Sequence, residues 1–204
     1  MSVTPIVRIF LLLRLIADAQ EPMSAKGMGA VYMRTSDGQR LRSDDFPALS
    51  REELLKTYYF PHHSRLSAAV TAAIEQHGKC LLIDGHSFTT RPYPHEYDQS
   101  PNRPDICIGT DAFHTPSWLS DLAVGIYREL GFSVDMNRPF AGTLVPEPFY
   151  RRNSNVLSIM VEIKRSLYMV EESGQRRADF PAFAATMHNA LLQLIAKAAG
   201  KLSH

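Results

Sequence analysis

The stretch KCLLID, residues 79–84, constrains this chain more than any other. It is short and nearly all apolar, and it follows Gly78, a natural helix stop. Such a run reads as a strand of a parallel sheet covered on both faces by helices. Its surroundings agree. Over residues 62–77, Leu66, Ala69, Val70, Ala73 and Ile74 fall on one helical face. Residues 105–109, 132–136 and 156–163 read as further strands. Leu119, Leu122, Ala123, Ile126 and Leu130 make the apolar face of a helix that Thr115-Pro116 opens and Gly131 ends. Ser50 and Glu53 form a capping box for an earlier helix, which Pro61 is expected to break or kink. Residues 139–148, rich in proline and glycine, read as a loop or short hairpin. Asp179 and Pro181 open a last helix that runs to residue 199. Alternating helices and strands predict a three-layer α/β domain, with a mainly parallel sheet flanked by helices.

Bulk properties narrow the function classes. A chain of 204 residues suits one domain with a sizeable core. A net charge of +1 provides no global field for nucleic acid or an anionic membrane, and neither is expected as a partner. Cys80 and Cys107 sit in apolar runs and read as buried, reduced thiols, which fits a cytoplasmic protein. Residues 1–24 form an atypical apolar segment ahead of a single domain at 25–204. Within it, IVRIFLLLRLIA is too short to span a bilayer, is interrupted by Arg8 and Arg14, and reads as a partly buried helix. The sequence has no G-x-S-x-G elbow, Walker motif or dinucleotide fingerprint.

Candidate chemistry gathers where strands end. In open α/β sheets, ligands bind beyond the carboxyl ends of the strands. His86 falls just past one such end, Glu162 near another, and Asn137 and Arg138 follow a third. A long polar loop at 85–104 adds a functional signal. Glu162 stands among Ile159, Met160, Val161 and Ile163, where a carboxylate is costly to bury unless it is paired or catalytic. Burial would raise its pKa toward a useful range for proton transfer. Its other reading is an ion pair with Lys164, Arg165 or Arg103. His86 reads either as a metal ligand or as a histidine bonded to Asp84. His62 and His63 point about 100° apart on a helix, so they do not share one metal; they read as surface or core packing, or one of them faces the cleft. His95 and His114 are candidates for replacement ligands. Arg151 and Arg152 read as a solvated charge run or a carboxylate clamp.

Five stretches, TYYFPHHSRL, LLIDGHSF, NRPDICIGT, GFSVDMNRPFAG and VLSIMVEIKRSLYM, together resemble the N-formylglutamate amidohydrolase family over residues 25–199. The resemblance implies a zinc-carboxypeptidase-like fold in which a zinc-bound water attacks an amide carbonyl. It implies hydrolysis of N-formylglutamate, or a similar N-acyl amino acid, to formate (or another acid) and the free amino acid. N-formylglutamate arises in histidine breakdown. On matching positions, His86 resembles a zinc ligand with Ser87 its neighbour, and Glu162 the general acid/base. Arg103, Asp105, Asn137 and Arg138 match positions that shape the substrate pocket. Family members also carry a Pro-His-Ser-Gly motif and an acid that supply the other two zinc ligands. These do not appear before Gly27. The alternative expectation is therefore a truncated or non-catalytic relative lacking a complete zinc site.

Overall fold

The structure, a computed structural model, describes residues 8–10, 29–43 and 45–202. Arg8–Phe10 is a three-residue strand, β1, and not part of the helix expected there. The rest of the apolar stretch lies outside the described residues. Ala48–Leu54 is helix α1. It begins ahead of Ser50, so the expected capping box does not form. Pro47 takes the N-cap position, its φ of −58° already suited to helix entry. The chain also stays helical through Pro61. Leu55–Tyr59 widens into a π-helical turn and Phe60–His77 continues as α2. A proline ring collides with the preceding turn and removes a donor, and the wider turn just upstream relieves both problems.

Gly78 ends α2 with φ 71°, its N–H bonded to Ile74 O at 2.8 Å. Strand β2 follows at Cys80–Phe88 and runs past the expected end at Asp84. Pairing sets its length, because every residue out to Phe88 has a partner on a neighbouring strand. Then come β3 (Ile106–Gly109), α3 (Ser117–Glu129), β4 (Val134–Met136) and β5 (Val156–Lys164). A hairpin, β6 (Met169–Val170) and β7 (Gln175–Arg176), leads into α4 (Phe180–Leu202). Pro116, not Thr115, caps α3. The Thr115 hydroxyl donates to Ser158 O at 2.6 Å and so ties the loop to β5. Residues 139–148 form a loop without a hairpin.

The sheet order is β1-β2-β5-β3-β4. Three pairings are parallel and one, β3 with β5, is antiparallel. The mainly parallel sheet is as expected; the antiparallel joint has a consequence for the site. The carboxyl ends of β2 and β5 lie at one end of the sheet, and those of β3 and β4 at the other. His86 and Glu162 therefore share an end that Asn137 does not.

Alternation along the strands gives the sheet two different faces. One is apolar throughout. Leu81, Ile83, Ile159 and Val161 pack there under Leu119 and Ala123 of α3 and Leu194 of α4. The other starts apolar, with Cys80, Leu82 and Val156 under Leu66, Val70 and Ala73 of α2. It then turns polar at Asp84, His86, Ser158 and Glu162. The expectation of a strand apolar on both faces thus holds only for the amino-terminal half of β2. Each fully buried aliphatic chain contributes about 1.5–3 kcal/mol, and these two clusters hold the layers together. Cys80 and Cys107 are free and buried, as expected. Among the described residues, no helix is long and apolar enough to cross a membrane.

The loop after β4 turns back over the polar face and passes very close to β3. A Cβ on Gly109 would stand 2.4 Å from Gly142 O and 2.3 Å from the Met160 Cε. Gly109→Ala should push this loop away and lower stability by about 1–3 kcal/mol, read as an earlier urea midpoint. An unchanged midpoint would mean that the loop yields freely and is not fitted to the sheet.

Candidate active site

The in-register pairing of β2 with β5 sets His86 beside Glu162. The row continues across the sheet to Cys107 on β3 and Asp135 on β4. His86 Nε2 lies 2.8 Å from Asp84 Oδ1. The second Asp84 oxygen accepts the Leu144 backbone N–H at 3.2 Å. Residues two apart on a strand share a face, so Asp84 is placed to fix the orientation of the His86 ring. Asp84 is buried, whereas 22% of the His86 side chain is exposed.

Glu162 is 7% exposed, and its Oε2 is buried with no hydrogen-bond partner among the described residues. Burial pushes its pKa up to about 7. Nearby His86 favours the charged form, Asp84 opposes it, Arg165 favours it and Glu96 opposes it. The ion pair weighed as its other reading does not form. Lys164 Nζ binds Asp105 at 2.6 Å, Arg103 pairs with Glu96, and Arg165 donates to Ser87 Oγ at 3.2 Å and Ser87 O at 3.3 Å. A buried carboxyl with a near-neutral pKa and an open oxygen suits an acid/base catalyst.

Of the other predicted residues, Asn137 lies at the other end of the sheet from this pair. Ser87 alternates onto the opposite face of the sheet from His86. Arg103 is buried; besides Glu96 it donates to Thr89 O at 3.0 Å and Asp98 O at 3.2 Å. Its guanidinium also lies over the rings of Phe88 and Phe140. It anchors the 89–104 loop to the end of β2. Asp105 accepts Ser133 N–H at 3.0 Å and the Ser133 hydroxyl at 2.7 Å. Burial alone would raise its pKa, but Lys164 and Ser133 outweigh that and hold it below the usual range. Asn137, at φ 55°, accepts Thr110 N–H and donates to Thr110 Oγ1, both at 2.9 Å. Arg138 donates from Nε to Asp135 at 2.9 Å and reaches Asp98 at 3.9 Å.

The remaining histidines sort by their partners. His114 is buried with both ring nitrogens engaged, Nδ1 on Val156 O at 2.6 Å and Nε2 accepting Arg151 N–H at 2.8 Å. It is a structural histidine and not a replacement ligand. His95 Nδ1 bonds Ser36 O at 2.8 Å. The rings of His62 and His63 meet edge to face at 5.3 Å, closer than their helical spacing suggested. Arg151 pairs with Asp111 at 3.5 Å and Arg152 with Glu147 at 3.2 Å, in keeping with a surface charge run. Cys107 was not expected in the site row. Burial pushes its thiol up to about 11, and Sγ donates to Phe140 O at 3.1 Å. No local signal could have placed it there, because the antiparallel joint that does so is a non-local feature.

A catalytic zinc takes three protein ligands and an open position. Among the described residues, no group of three or more His, Cys, Asp or Glu side chains is placed to hold a metal ion. Asp84 is already engaged by the His86 ring and Leu144, and burial keeps Cys107 protonated. The described residues do not fit a complete zinc site, and His86 is the candidate ligand they supply.

The helix-flanked mixed sheet, with a buried carboxyl group beside a histidine, defines an α/β architecture that carries a candidate acid/base site. Two solved structures are similar to it. N-formylglutamate amidohydrolase from Ralstonia eutropha JMP134 matches with a TM-score of 0.76 at 23% identity, covering 95% of this chain and 69% of that one. Gene product Atu2144 from Agrobacterium tumefaciens matches with a TM-score of 0.60 at 21% identity, covering 90% of this chain and 65% of that one. This chain therefore spans about two thirds of the length of each. No curated protein matches it. The sequence model of the N-formylglutamate amidohydrolase family matches residues 14–169, most of the chain. The chain belongs to that family.

Glu162 also makes stability depend on pH. Its folded pKa is about 7 against an ordinary 4.5. Between those values the folded chain holds more protons than the unfolded one, so stability falls as pH rises toward 7. Glu162→Gln removes this penalty. The variant should gain stability over the parent on going from about pH 4 to pH 8, by up to about 3 kcal/mol, read from thermal melts. A gap that does not change with pH would contradict the burial account.

Proposed function

We propose that this chain hydrolyses a linear amide, cleaving N-formylglutamate or a similar N-acyl amino acid to formate, or the corresponding acid, and the free amino acid. The observation that carries the reading is Glu162, a buried carboxyl group with a pKa of about 7 beside His86, in a member of the N-formylglutamate amidohydrolase family. Glu162 as carboxylate takes a proton from the attacking water. As carboxylic acid it delivers that proton to the leaving amine. A pKa near 7 populates both forms at neutral pH. Asp84 holds the His86 ring in place. Arg103, Asp105 and Arg138 brace strand ends and loops beside the proposed substrate pocket, Asn137 fixes the turn after β4 at the other end of the sheet, and Ser87 braces Arg165.

Zinc belongs to this proposal as the ion His86 would ligate, and the proton path described is Glu162's own. Histidine breakdown as the source of substrate and a reducing cytoplasm as the setting belong to it too, the latter in keeping with the free thiols Cys80 and Cys107. The competing reading is a family member that keeps the fold without turnover. The incomplete ligand set among the described residues favours it.

One experiment separates the two. The purified chain is incubated with N-formylglutamate and a panel of N-acyl amino acids, and its zinc content is measured before and after His86→Ala. The hydrolase reading expects acid release, zinc that falls with the substitution, and a kcat lowered by about 10²- to 10⁴-fold in Glu162→Gln. Absence of release from every substrate would leave the non-catalytic reading standing.

A further inference from the structure

The polar face of the sheet has an opposite wall, helix α2. The tight turn at Gly78 makes α2 run antiparallel to β2, and the two pack through Leu66, Val70, Leu82 and Cys80. Leu66 lines a small gap of about 10 Å³, room for about one water, together with Leu82, Asp84 and Leu144. One helical turn back from Leu66 is His62. A turn rises about 5.4 Å, close to the roughly 6.6 Å that two strand residues span. The step from Leu66 to His62 therefore matches the step from Asp84 to His86. His62 comes level with the His86–Glu162 row.

Tyr59, His62, His63 and Leu66 follow the spacing of the helix stripe that faces the sheet. The stripe changes from apolar to polar at the level where the sheet face does. His62 Nε2 is buried, and it has no hydrogen-bond partner among the described residues. His114 is paired at both nitrogens; His77 Nε2, at the far end of the same helix as His62, is also buried and open among the described residues, so it is the place of His62 beside the polar face that singles it out. The cationic groups nearby are already engaged: Arg103 by Glu96, Arg138 by Asp135 and Lys164 by Asp105.

We infer that His62 contacts the substrate, its Nε2–H donating to the oxygen of the scissile acyl group from the wall that faces Glu162. This rests on the amide-hydrolysis reading above. Charge grows on that oxygen as water attacks, and a donor fixed in a water-poor cleft stabilises it. The floor carries the carboxyl groups of Asp84 and Glu162, and its histidine, His86, is held by Asp84, so the opposite wall is where an open donor stands.

The test compares the parent with His62→Ala, His62→Gln and His62→Leu. His62→Ala should lower kcat on N-formylglutamate by about 10²-fold, with KM moving much less. His62→Gln, which keeps an N–H donor, should recover at least about tenfold of that loss. His62→Leu should melt at or above the parent temperature, because it removes a buried polar atom that lacks a partner. An unaffected kcat in His62→Ala overturns the inference while leaving the hydrolase reading intact. So does a lower melting temperature in His62→Leu with kcat unchanged. If the parent turns over nothing, the hydrolase reading falls, and calorimetry with N-formylglutamate decides His62 alone. Binding at least about tenfold weaker in His62→Ala sustains the contact; equal binding, or none by the parent, overturns it.

Discussion

The nine-residue pairing of Cys80–Phe88 with Val156–Lys164 is the constraint on which the site depends. Both strands run in the same direction without stagger, so like parity meets like parity at every step. A slip of one residue would move Glu162 to the face under α3 and α4 and bring Ile163 into the cleft. The apolar face prevents that slip. Leu81, Ile83, Leu157, Ile159 and Val161 bury together only in the observed register. Hydrophobic burial on one side of the sheet therefore positions the chemistry on the other.

Most of the charges buried near the site are compensated. Arg103 has Glu96, Lys164 has Asp105, and Asp84 has both a histidine and a backbone amide. Glu162 is treated differently. It is about as buried as Arg103 and Asp84 and more so than Lys164 and Asp105, yet one of its oxygens meets no donor among the described residues. Burial destabilises the charged form, and the carboxyl group responds by keeping its proton to a pKa of about 7. The fold tolerates this penalty at a position where a movable proton is useful. His62 Nε2, on the helix above, is likewise buried and open among the described residues. Two such atoms on facing walls are poor structure and good provision for a ligand.

Much of this was legible in the sequence, for reasons that differ by element. The apolar faces of α2 and α3 and the stops at Gly78 and Gly131 are local signals, and they predict the helices well. Glu162 was conspicuous because a carboxylate interrupts an otherwise apolar strand. What could not be read depends on partners far away in sequence. β2 continues through His86 and Ser87 because β5 pairs with it, although its polarity suggests a loop. β3 joins β5 antiparallel, which brings Cys107 into the site row and sends Asn137 to the other end of the sheet. Pro61 sits inside a helix because the π-turn at Leu55–Tyr59 absorbs it. Arg103 read as a pocket residue, yet its partners Glu96, Thr89 and Asp98 make it the anchor of a loop.

The loop after β4 links the packing of the sheet to the proton on Glu162. It crosses β3 only because Gly109 has no side chain to meet Gly142 O. Having crossed, it is fastened at Leu144, whose carbonyl accepts Ser158 Oγ at 2.7 Å, and at Thr143, whose hydroxyl bonds the same Ser158 at 2.7 Å. The Leu144 N–H then reaches Asp84, and Asp84 holds His86. Asp84 raises the pKa of Glu162 and His86 lowers it, so the position of each bears on how readily Glu162 gives up its proton. A glycine remote from Glu162 thereby acts on the proton affinity of its carboxyl group through a loop, an aspartate and a histidine.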